Sequence, residues 1–464
     1  MRNHAYTATL VFGAVSLLVP MTAAARPMSQ SKPAPAGSID QAKTAIRNGN
    51  FAEASRILRP LAQQGDAVAQ TNLGLLYDIG LGVTQDETVA LWWFRLAAAH
   101  GSAVAQSYLG VMYDNGRGVS QNYPEALRWY RLAAAQGIAP AQYNLGVMYD
   151  KGRGVTQNYA EALKWWRLAA EKGDAAAQFK LGVIYNEGRG VTQDSLEALK
   201  WWRLSAQQGS ESAQFELGFK FANGQGAAQN YEEAAKWYRL AAAQGNTTAR
   251  YNLGVMYDNG LGVTQDFTEA AKWYRLAAAE GNVKAQVNLG VMYDNGLGVA
   301  RDFTEAAKWY RLAAAQNDAI ARNNLGSIYA NGRGVAQNYA EALRWYRLSA
   351  AQGNVTAQYY LGELAAEGQG QLQNYSEALR WYRLAASHGE TRAQTALAGL
   401  YANGQGVFQD CIKGYAWYAI AAAHGNEEAR NYRNELLGHL TREQVAAGQA
   451  LAAKCEKSNY KDCE

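Results

Sequence analysis

The sequence predicts an all-α solenoid of about ten stacked helical hairpins, and three observations carry that prediction. The leucine of an LG pair falls at Leu73, Leu109, Leu145, Leu181, Leu217, Leu253, Leu289, Leu325 and Leu361, always 36 residues apart, with a tenth at Leu397 followed by alanine. A tryptophan stands twenty positions past each of these leucines, from Trp93 to Trp417, and all 13 tryptophans of the chain lie within the array. Residues 251–262 (YNLGVMYDNGLG) and 287–298 (VNLGVMYDNGLG) are near copies. A fixed period of this length marks units that cannot bury their apolar side alone and do so by stacking on their neighbours.

Residues 246–281 show how one unit is built. Ala249, Leu253 and Tyr257 recur at four-residue steps and form the apolar stripe of a first helix. Gly254 within it costs roughly 1 kcal/mol of helix propensity, which implies that a neighbouring helix comes close to its backbone. Gly260 and Gly262 then form the turn between two helices. No strand precedes this turn, Gln265 stands where a third glycine is needed, and no GK[ST] follows, so GLG is not a phosphate loop. A second helix is expected from about Asp266, which caps it, with Glu269 completing a capping box. Its stripe is Ala270, Trp273, Tyr274, Ala277 and Ala278, and Gly281 ends it as a left-handed residue.

The flanks read differently. Residues 1–25 carry Arg2, an apolar run from Ala8 to Val19 and small residues at Ala23, Ala24 and Ala25, the layout of a secretory signal peptide cleaved after Ala25. The run falls short of the roughly 17–25 apolar residues that span a membrane, so stable membrane insertion is not expected. Residues 26–38, rich in Pro, Ser and Ala, are an expected disordered linker. Residues 39–65 and 426–464 are expected to cap a repeat array running from 66 to 425, each end offering a wettable outer face. The expected location is the periplasm or the exterior. Export permits disulfides, and Cys455 with Cys463 is the expected pair. Cys411, where a helix begins, reads as a small buried side chain.

Composition and motifs exclude several functions. Lys plus Arg total 44 against 40 Asp plus Glu, a formal charge of +4, too small and too mixed for a nucleic-acid partner. HExxH, CxxC and GxSxG do not occur, so no catalytic residue, metal ligand or cofactor is expected. His100, His388 and His424 each precede a unit-ending glycine, where an imidazole suits a helix C-terminus. Glu269 and Lys272 read as a helix-stabilising pair. The second-helix arginines, from Arg95 to Arg383, are expected to be solvated or to link neighbouring units. The N-x-[ST] asparagines, Asn246, Asn354 and Asn374, stand at helix starts and read as N-caps.

The recurring pattern A-x-x-x-LG-x-x-Y-x-x-G-x-GV-x-Q-[DN]-x-x-EA-x-x-W-[YWF]-R-x-AA resembles the Sel1-like repeat, a relative of the tetratricopeptide repeat, from roughly Asp66 to Gly425. Repeat nine departs most, with Ala365 for tyrosine and Gln371 for valine; repeat five has Phe221 and Ala227 there, and a looser turn is expected. The resemblance implies a right-handed superhelix of ten units. In tetratricopeptide repeats the asparagine of Y-N-L-G often holds a bound peptide's backbone from the concave wall. By position this points to Tyr143, Asn144, Tyr251, Asn252, Asn288 and Asn324, with Asp150, Asp258 and Asp294 on the same wall. The implied function is an exported, monomeric scaffold that docks a protein or an extended, somewhat basic peptide on its curved surface, in envelope regulation or host interaction. A secreted effector is one alternative. Cysteine-rich Sel1 relatives imply another, a cell-wall ligand binder or weak β-lactamase-like enzyme.

Overall fold

The computed structural model describes residues 38–460 together with 462 and 463, and among them are 24 α-helices and no strand. The expected signal peptide lies outside the described residues, as does the expected linker except for Ser38. Ser38 is the N-cap of the helix Ile39–Arg47, with a full capping box to Gln41. The chain divides into two compact units, one ending at Asn230 and the other beginning at Tyr231. In the first, Ile39–Arg47 and Phe51–Gln63 precede four complete hairpins and the helix Glu211–Asn223. In the second, Tyr231–Ala243 precedes five complete hairpins, followed by Glu427–Leu437 and Arg442–Lys457. Within each unit each helix packs on the next in chain order as far as Glu427–Leu437, whereas Arg442–Lys457 packs back on Cys411–Ala423.

The hairpin of repeat six shows why these residues fold so. Its first helix is Thr247–Asn259 and its second Phe267–Ala279. Asn246 accepts a hydrogen bond from the Ala249 N–H at 2.7 Å, and Asn354 and Asn374 cap their helices in the same way. Asp266 accepts from the N–H groups of Thr268 and Glu269, but Glu269 does not reach back. It pairs with Lys272 at 3.0 Å instead, so the capping box is half made. Gly260 ends the first helix with φ 68°. Gln265 then donates its side-chain amide to the Asp258 carbonyl at 2.7 Å, closing the turn. The second turn glycine meets the previous repeat: a Cβ on Gly262 would stand 2.2 Å from the Tyr231 carbonyl carbon. Repeat five keeps the same turn, with Asn230 N–H donating to the Phe221 carbonyl at 2.9 Å, so the expected loosening does not occur.

The core differs from the expected stripes in two places. Ala249, Leu253 and Met256 are buried, whereas Tyr257 lies half-buried at the edge. On the second helix Ala270, Ala271, Tyr274, Ala277 and Ala278 are buried and Trp273 is only half-buried. What approaches Gly254 is therefore the Tyr274 ring of the same hairpin rather than a neighbouring backbone. Burying such a ring contributes roughly 1.5–3 kcal/mol by transfer alone.

The second-helix arginines link successive repeats. Arg239, Arg275 and Arg311 donate to the hydroxyls of Tyr257, Tyr293 and Tyr329 at 3.0, 2.9 and 3.0 Å. Where repeat nine has Ala365, Arg347 turns to Gln371 at 3.0 Å, so its two departures from the pattern compensate for one another. At the C-terminal end Cys455 and Cys463 lie at disulfide distance, with Cα atoms 4.6 Å apart. Cys411 is half-buried rather than buried. His388 and His424 bond the carbonyls of Leu384 and Ile420 at 2.8 and 2.9 Å, as helix-end groups, while His100 bonds Gln70 at 3.0 Å.

Candidate functional site

The candidate residues lie on the first helices, and two registers before each LG leucine decide what they touch. The residue two before the leucine packs on the buried ring of its own hairpin. Tyr251 stands 6.0 Å from Tyr274 and Tyr359 stands 5.9 Å from Tyr382, centroid to centroid. The residue one before the leucine meets the ring of the preceding repeat. Tyr108 stacks on Phe94 at 5.2 Å and Tyr360 on Tyr346 at 5.1 Å, while Asn288 faces the Tyr274 hydroxyl and Asn324 that of Tyr310. The asparagine ladder is thus partly engaged in joining repeats.

In the first unit, Tyr143, Asn144 and Asp150 are half-buried on the helix Ala139–Lys151. The Tyr143 carbonyl accepts from the Trp166 indole N–H at 3.0 Å, and Asp150 pairs with Arg189 at 3.7 Å. In the second unit, Tyr251, Asn252 and Asp258 are half-buried on Thr247–Asn259, with Asn288 and Asp294 on Val283–Asn295 and Asn324 on Ala319–Asn331. Tyrosine and aspartate in each Y-N-L-G helix are seven residues apart, two turns, so they share one face. Tyr274 donates its hydroxyl to Asp258 Oδ2 at 3.2 Å. Burial, and then the Asp258 charge, push the Tyr274 pKa far above that of a free phenol, so it remains a donor. Asp294 pairs with Arg333 at 3.9 Å. Its carboxyl is raised by burial, with Arg333 and Arg301 opposing the shift.

The sequence reading placed Tyr274 in the second-helix stripe but did not separate it from Trp273 as the ring that fills the hairpin, because that position varies among Phe, Tyr and Trp along the chain. One set of residues escaped it altogether: the arginine inside the glycine turn, Arg117, Arg153, Arg189 or Arg333, which reaches the aspartate of the preceding repeat. A signal for it was present, since arginine occupies the turn only after a repeat with aspartate at that register.

The wall also forms a groove of about 910 Å³ in the second unit, between first-helix residues of repeats nine and ten and the helix Glu427–Leu437. Tyr359, Arg392, Tyr418, Tyr432, Glu428 and Glu435 line it, and Tyr359 holds the register of Tyr143 and Tyr251. Among the described residues no group of three or more His, Cys, Asp or Glu is placed to hold a metal ion. No helix there is long and apolar enough to cross a membrane.

The Sel1 repeat family matches ten tandem segments: residues 67–102, 103–138, 139–174, 175–210, 211–246, 247–282, 283–318, 319–354, 355–390 and 391–426. A solved structure of c5321, a protective antigen of uropathogenic Escherichia coli strains with an SLR fold, is 34% identical. That match covers 88% of this chain and 96% of the other, with a TM-score of 0.68. A Sel1 repeat protein from Oxalobacter formigenes is 32% identical over 75% of this chain and 99% of its own, with a TM-score of 0.49. No curated protein matches.

Proposed function

This chain belongs to the Sel1 repeat family, and from that premise we propose that it is an exported, monomeric docking scaffold that holds an extended protein segment along its first-helix wall. Repeat scaffolds of this kind serve protein–protein interaction. The observation that carries the finer reading is the recurrence, at the 36-residue period, of half-buried amide and carboxylate groups on successive first helices, Asn252 and Asp258 and then Asn288 and Asp294, with Tyr251 beside the first pair. Such groups satisfy the backbone and side chains of an extended segment, and their spacing along rigid helices reduces the ordering cost of binding. The E. coli relative's description as a protective antigen supports a location outside the cytoplasm.

A photo-crosslinking residue at Asn252 or Asn288, introduced in the native host and read by mass spectrometry, is expected to capture one recurrent partner. Affinity for that partner is expected to fall several-fold in the Asn252→Ala, Asn288→Ala double variant. Unchanged affinity rules out the first-helix wall. Recovery of a tagged chain solely in the cytoplasm rules out export.

A further inference from the structure

The carboxylates at one register of the first helices fall into two kinds. Asp78, Asp114, Asp150 and Asp294 each face the turn arginine of the following repeat: Arg117 at 2.7 Å, Arg153 at 3.7 Å, Arg189 at 3.7 Å and Arg333 at 3.9 Å. In the last three pairs the aspartate Oδ1 is fully enclosed and accepts no hydrogen bond, so these pairs are ionic contacts. The register and the turn position vary together along the chain. Where the register holds Asn186, Ala330 or Ala366, the next turn holds Gln225, Gln369 or Gln405. At Asp258 the matched set breaks: the carboxylate is present, but the following turn carries Leu297. Among the described residues no cation lies within ion-pair distance of Asp258. Its recorded side-chain contact is the Tyr274 hydroxyl on Oδ2. A carboxylate accepts about four hydrogen bonds, so one phenol leaves most of that capacity open.

Resting on the docking function above, we infer that Asp258 receives an arginine side chain of the docked segment, which completes from outside the pair that the sister junctions complete from within. The sister junctions identify the occupant, because the same backbone register, flanked by the same helices, holds a guanidinium four times over. A planar guanidinium on a half-buried carboxylate forms charge-assisted hydrogen bonds stronger than those of a solvated pair. Half-buried Tyr251 and Asn252 lie on the same helix, with Tyr251 packed on the Tyr274 ring, and Asn288 on the next first helix faces the Tyr274 hydroxyl. Asp150 and Asp294, already closed by Arg189 and Arg333, are not such points.

The test uses the full chain and two fluorescent alanine–serine octapeptides, one with a central arginine and one with citrulline, its uncharged counterpart, read by anisotropy. On the wild type the arginine peptide is expected to bind about tenfold tighter. The ratio is expected to approach one in Asp258→Asn, and also in Leu297→Arg, whose guanidinium occupies the carboxylate as its counterparts do. It is expected to persist in Asp150→Asn. Thermal melts by circular dichroism confirm that each variant is folded. A ratio near one on the wild type overturns the inference, as does a ratio that survives in both Asp258→Asn and Leu297→Arg or one lost equally in Asp150→Asn. If both peptides bind equally, docking itself stands; if neither binds, peptide docking fails with it.

Discussion

Tyr274 lies so close to Gly254 that a Cβ on the glycine would stand 2.6 Å from the ring's Cδ1. The same relationship recurs down the chain, with Gly110 against Tyr130 at 2.4 Å and Gly290 against Tyr310 at 2.5 Å. The glycine of each LG pair is therefore the socket for the ring that seals its hairpin, and the helix accepts a weaker propensity in exchange for a buried aromatic.

Gly254→Ala is accordingly expected to destabilise the protein by about 1–3 kcal/mol, the usual cost of forcing volume into a packed core. Gly399, in the helix Thr391–Asn403, has the Tyr418 hydroxyl at 3.4 Å as its nearest neighbour, so Gly399→Ala is expected to stabilise by about 0.5–1 kcal/mol through helix propensity. Urea unfolding of both variants reads the sign. Two changes of the same sign would contradict the socket account.

The inter-repeat clasp is expected to be modest. The Arg311 guanidinium donates to the Tyr329 hydroxyl at 3.0 Å and lies 5.8 Å from its ring centroid, with the arginine exposed. A double-mutant cycle of Arg311→Ala and Tyr329→Phe should give a coupling of about 0.5–1 kcal/mol. No measurable coupling would mean that solvent screens the contact fully.

Asp78 supplies a pH dependence with a definite sign. Burial raises its carboxyl pKa, Arg117 opposes that shift and Glu87 adds to it. A carboxyl that holds its proton more tightly when folded contributes stability below its unfolded pKa, near 4, and loses it as pH rises through the folded value. Asp78→Asn removes this contribution. The stability of the wild type relative to the variant, read from urea midpoints, should therefore improve as pH falls from 7 toward about 4. A relative stability that improves toward neutral pH would show that the attraction of Arg117 outweighs burial.

At the C-terminal end Tyr460 lies 6.4 Å from Trp417, centroid to centroid, inside the loop closed by the Cys455–Cys463 link. Closing so short a loop restricts the unfolded chain by about 2–3 kcal/mol. Cys455→Ser with Cys463→Ser is expected to speed amide exchange in the helix Arg442–Lys457 while leaving Ala103–Asn115 unchanged. Equal exchange in both proteins would show that the tail is held by packing alone.

The period, the hairpin, the caps at Asp266 and Asn246 and the glycine turns were all legible in the sequence, because each rests on local chemistry repeated ten times. Which ring faces Gly254 was not. The stripe holds both Trp273 and Tyr274, yet adjacent helix positions point about 100° apart, and packing turned Tyr274 inward while leaving Trp273 half-buried. Among the candidate residues, position placed Asp150, Asp258 and Asp294 together as equals.

By itself the sequence determined the repeating unit, since the turns, caps and apolar registers act within 36 residues and need no distant partner. The tertiary structure decided which contacts cross from one unit to the next. Arg333 reaches Asp294, and Leu297 leaves Asp258 without a cation among the described residues. Such distinctions depend on side chains brought together by stacking across more than thirty residues, and the pattern of a single unit does not contain them.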